Sequence, residues 1–70
     1  MTKEVFLLKL EEGARLAKRA AFANAYLGLE EKEEAARELE GFAEKCVGSF
    51  AAPADSILDL FYFAADSIIF

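Results

Sequence analysis

Histidine does not occur in this chain, and cysteine and proline occur once each. Without His, Cys46 and the three serines, Ser49, Ser56 and Ser67, lack the base that would activate a nucleophile. One thiol and no imidazole cannot build a zinc site. A lone Cys46 also excludes an internal disulfide. No stretch reaches about 18 uncharged apolar residues, so no membrane span is expected. Positive charge is in deficit: 8 Lys and Arg stand against 13 Asp and Glu, for a net charge of −5. That balance disfavours nucleic acid and anionic membrane surfaces as partners. The opening MTKEVFLLKLEEGARLAKR is not ordered like a signal peptide, because Lys9 breaks its apolar run and Glu11 and Glu12 follow at once. The expectation is a cytoplasmic protein with one reduced thiol.

What is present is hydrophobic and helix-forming. Seventy residues make one small domain. A chain this short buries only about 60% of its unfolded surface. Disulfides, a metal or oligomerisation usually compensate. The first two are excluded here, and a 56% hydrophobic composition favours the third. Ala is the commonest residue, followed by Glu and Leu, while Val and Thr are scarce. The fold class expected is all-α: a helical hairpin plus a third, strongly apolar C-terminal helix, completed by oligomerisation into a bundle.

The first helix is expected over about 3–27. At 100° per residue, Phe6, Leu10, Gly13, Ala17, Ala20, Ala21 and Asn24 share one face. Gly13, Ala17 and Ala21 recur every four residues and would let another helix approach closely. Asn24 on that face suits either a register-fixing polar contact or a local bond to the turn. Gly28 fits a left-handed helix stop, with Leu29 folding back. The rival is one long helix running through Gly28. The second helix is expected over 31–50, its stripe formed by Ala35, Leu39, Phe42, Cys46 and Phe50. Gly48, Ser49 and Pro53 mark its end, and Pro53 suits the first turn of the next helix.

The third helix is expected over 54–70. ADSIL and ADSII repeat eleven residues apart, so Asp55, Asp59 and Asp66 line up. Ile57, Leu60, Phe61, Ala64, Ala65 and Ile68 lie opposite. A helix apolar over more than half its circumference is normally buried on several sides. Charge is uneven along the chain. Residues 1–29 carry five basic and three acidic groups, 30–50 three and seven, and 51–70 none and three. The first helix thus supplies the cations that the other two lack.

The remaining chemical candidates read as structural. Cys46 lies mid-stripe between Phe42 and Phe50, as a buried thiol does. Glu30, Glu31, Glu33, Glu34 and Glu38 resemble a solvated helix start more than a metal cluster, since the His of a di-iron site cannot be supplied. Asp66 stands about 10 Å along the axis from Asp59, too far for one ion to bind all three aspartates. Arg15, Lys18 and Arg19 share their helix face with Glu11 and Glu12, so the local charge is small and the face reads as solvated.

Two local resemblances arise. NAYLGLEEKEEAARELEGFAEK resembles the helical hairpin of a tetratricopeptide repeat, through Asn24-Ala25-Tyr26 and Glu33-Glu34-Ala35. It departs from that pattern at Glu30 and Phe42 and has no second copy at the repeat length. DSILDLFY resembles the peptide that binds sliding clamps, through Leu58, Phe61 and Tyr62, with Asp55 in place of the Gln.

These readings converge on a non-enzymatic protein with no cofactor and no metal. It is expected to self-associate, as a homodimer or higher, and to act by protein–protein contact as a scaffold or regulatory module. The interaction residues expected are Ile57, Leu60, Phe61, Ala64 and Ile68 of the tail, with Gly13, Ala17 and Ala21 of the first helix. Replacing Phe61 with Asp should break the assembly. The alternative is a small subunit or antitoxin-like binder whose C-terminal helix docks into a different protein, a sliding clamp included.

Overall fold

The computed structural model describes residues 1–67 as three α-helices: α1 (Lys3–Tyr26), α2 (Leu29–Phe50) and α3 (Ala54–Asp66). No strand occurs among the described residues, so the fold is all-α. Ile68 and the end expected for the third helix lie outside them.

The Thr2 hydroxyl caps α1 by accepting the Val5 N–H at 3.2 Å. Glu4 stands in the first turn, where the helix dipole favours an acid. The chain breaks after Tyr26, so the turn holds and the single long helix does not. Its geometry differs from expectation. Gly28 is extended, at φ −75° and ψ 175°, and its carbonyl accepts from Lys32 N–H at 3.0 Å. Two extended residues, Leu27 and Gly28, reverse the chain without any left-handed residue. Helix α2 therefore begins at Leu29, two positions early, with Glu30 and Glu31 in its first turn.

The left-handed position falls instead at Ala51, φ 53° and ψ 43°, which ends α2. That conformation costs an L-residue about 1–2 kcal/mol. Gly48 does not break the helix, which continues to Phe50. Pro53 is the extended residue just before α3, one place earlier than the first-turn position expected of it. Its carbonyl accepts from Ser56 and Ile57 N–H at 3.1 and 3.2 Å.

The largest fully buried side chains are Phe61, Leu39, Ile57 and Cys46. Phe61 is the centre of the three-helix end. It stacks on Phe42 at 5.7 Å and meets Phe50 edge-on at 6.0 Å, and Phe50 in turn packs on Phe6 at 5.1 Å. Its ring lies directly on Gly13, where a Cβ would overlap it. The other end of the hairpin is built from Ala17, Ala20, Ala23 and Ala35, all buried. Arg19 of α1 and Glu38 of α2 form an ion pair across that seam.

Helix length explains the difference between the two ends. α1 rises about 36 Å at 1.5 Å per residue, which matches the 37 Å long axis. α3 rises only about 20 Å. It covers the end where α1 begins and α2 stops. Ala14 and Ala21 sit on the same side of α1, two turns apart, yet Ala14 is sealed and Ala21 is exposed. The expected face of α1 is thus correct near Gly13 and fails near Asn24, which is also exposed.

Candidate interaction site

The fold divides the expected interaction residues into two sets. Gly13, Ala17, Ile57 and Phe61 are sealed within a single chain. Their burial needs no second copy. Leu60 and Ala64 are half-buried and line a groove between α1 and α3. Ala21 is exposed, and Ile68 lies outside the described residues. Phe61→Asp is therefore no clean test of assembly. It would bury a carboxylate in the monomer's own core and unfold it.

The groove has a volume of about 550 Å³ and is walled by Leu7, Leu10 and Glu11 of α1 and by Leu60, Phe63 and Ala64 of α3. Phe63 is 74% exposed, the most open aromatic on α3. Leu7 and Leu8 also face outward. Neither leucine stands out on a helical wheel centred on Gly13. The signal for them was density: five apolar residues in VFLLKL cannot all face one core.

Around the groove the polar residues segregate. Asp55, Asp59 and Asp66 form an exposed acidic edge on α3, as their spacing predicted. Arg15, Lys18, Arg19 and Phe22 surround a second, shallower hollow on α1. The Arg15 guanidinium donates to Glu11 at 2.8 Å, and Glu11 itself walls the first groove. That ion pair joins a wall of the first hollow to a wall of the second.

The other candidates stay apart from this surface. Cys46 is buried, and burial pushes its thiol above the ordinary pKa, with Lys9 acting in the opposite sense. A thiol so held is a weak nucleophile. Glu30, Glu31, Glu33, Glu34 and Glu38 are exposed on α2. Among the described residues, no group of three or more His, Cys, Asp or Glu is placed to hold a metal ion. No described helix is long and apolar enough to cross a membrane. The clamp-like positions fall in three environments: Leu58 half-buried, Phe61 sealed and Tyr62 exposed. They cannot enter one foreign pocket together while α3 stays packed. Asn24, Ala25 and Tyr26, which carry the tetratricopeptide resemblance, are all exposed at the hairpin tip. No family model, curated protein or solved structure matches the chain. The class defined here is a small three-helix protein with an apolar groove between its first and last helices.

Proposed function

We propose that this chain is a cytoplasmic, non-enzymatic protein that self-associates, as a dimer in its simplest form, and acts as a scaffold or regulatory module. One observation carries the reading. After the chain has packed its own core, Leu7, Leu60 and Phe63 still present apolar surface in one groove. Apolar patches that persist on a small folded chain mark contact sites. The contact surface in this reading is the rim of the bundle. The small-residue face of α1 serves the monomer.

The test is solution mass by light scattering behind a sizing column, across a tenfold dilution. A mass of twice 7.7 kDa or more is expected. Phe63→Asp should reduce it to the monomer value with the helical signal unchanged, because that ring is not part of the core. A wild-type monomer at every concentration would overturn self-association and direct attention to a different protein as the occupant.

A further inference from the structure

Resting on the self-association reading, we infer that the contact is made by the acidic edge of α3 on the basic segment of α1 of a second copy, with Phe63 seated beside Phe22. Two independent features lead there. On α3, Phe63 has Asp59 four residues before it and Asp66 three residues after it, which places one exposed aromatic between two exposed carboxylates. On α1, Phe22 follows Arg15, Lys18 and Arg19 at spacings that put all four around one hollow. One patch is an aromatic framed by acids; the other is an aromatic framed by bases. The hollow's walls include the aliphatic stems of the basic side chains, which offer apolar surface below their charged heads. A guanidinium there can also lie over the face of an incoming ring.

The occupant is a second copy because both halves of the contact are on this chain. A two-fold axis brings each patch onto its complement twice, as an isologous dimer requires. Within one chain the acids of α3 pair with none of the described bases. Asp55, Asp59 and Asp66 have no ion-pair partner among the described residues. Arg15 and Arg19 are held by Glu11 and Glu38, with more than half of each arginine side chain still open to water. Such exposed pairs are weak and can be shared or exchanged.

The test is a charge swap. Asp59→Arg with Asp66→Arg makes α3 basic; Arg15→Asp with Arg19→Asp makes α1 acidic. Each double variant alone places like charges at both contacts, and its dimer is expected to dissociate about tenfold more readily or worse. Mixing the two variants restores opposite charges at both contacts. A mixed dimer should form with near wild-type affinity, detected by light scattering and by pull-down with a tag on one variant. Added salt should weaken the wild-type dimer. Circular dichroism and thermal melts confirm that each variant is folded before it is weighed. A wild-type dimer that both variants retain overturns this interface and leaves self-association standing. Variants that dissociate and fail to pair when mixed also overturn it. A monomeric wild type overturns both the interface and the reading beneath it, and assigns the surface to a different protein.

Discussion

The two ends of this molecule are held together by different means. Where α1 begins and α2 stops, three helices meet around Phe6, Phe42, Phe50 and Phe61. At the hairpin tip, among the described residues, two helices close on an alanine seam and a surface ion pair. Aromatic rings bury large areas and lock one another's orientation. Alanines bury little each, but permit close backbone approach and cost no side-chain entropy. Stability should therefore concentrate at the aromatic end. The tip, with Phe22, Tyr26 and Leu29 still exposed, should open first.

The largest expected effect tests the aromatic end directly. Phe61→Ala removes the ring that touches all three helices and should cost about 3–5 kcal/mol. That is a large share of the stability of so small a domain. Chemical denaturation should show loss of a cooperative transition, or a midpoint shifted far downward. A loss below about 1 kcal/mol would mean that Phe61 is not the keystone and that the contrast between the ends is false.

A glycine pair sharpens the same contrast. Gly→Ala inside a helix ordinarily gains about 1 kcal/mol. Gly41→Ala in α2 should show that gain, since nothing lies within 4 Å of its new methyl. Gly13→Ala should show the opposite sign, a loss of about 1–3 kcal/mol, because the methyl overlaps the Phe61 ring. That ring is hemmed in by Phe42 and Phe50 and cannot swing aside. Thermal melts of the two variants side by side decide the matter. Equal gains would show that the α1–α3 contact is loose.

The smallest effect belongs to the tip. Arg19→Ala breaks the pair with Glu38, which is open to water on both sides. It should cost about 0–1 kcal/mol. Hydrogen exchange should nonetheless show faster opening around Ala20 and Ala35 than around Gly13, because little else joins the helices there. A larger cost would give the ion pair a structural weight that its exposure denies. A small one also keeps Arg19 suitable for the charge-swap test of self-association.

Much of this was legible in the residues. Ala-, Glu- and Leu-rich composition, the single Pro53 and the stripe from Ala35 to Phe50 specify three helices and the buried face of α2. The eleven-residue spacing specifies the acidic edge of α3, since helical geometry alone decides which residues align. The backbone conformation at the turns was less legible. Gly28 can be left-handed but is extended here, whereas Ala51, a residue type with no preference for that conformation, is the left-handed residue that ends α2. Part of the candidate site was hidden as well. Leu60 and Ala64 were expected at a contact, but their partners Leu7 and Leu10 form a groove with them only once α3 lies along α1.

Periodicity is a property of one helix, and it determined the helices, their apolar sides and the segregation of charge between α1 and α3. It cannot state how far a neighbour reaches. Only the tertiary structure decided that Phe61 is core and Phe63 is surface, that Ala14 is sealed and Ala21 is open, and that Gly13 serves the monomer. The physical reason is length. Among the described residues, a 13-residue helix laid on a hairpin nearly twice as long covers one end and leaves the other, and its own outer edge, exposed.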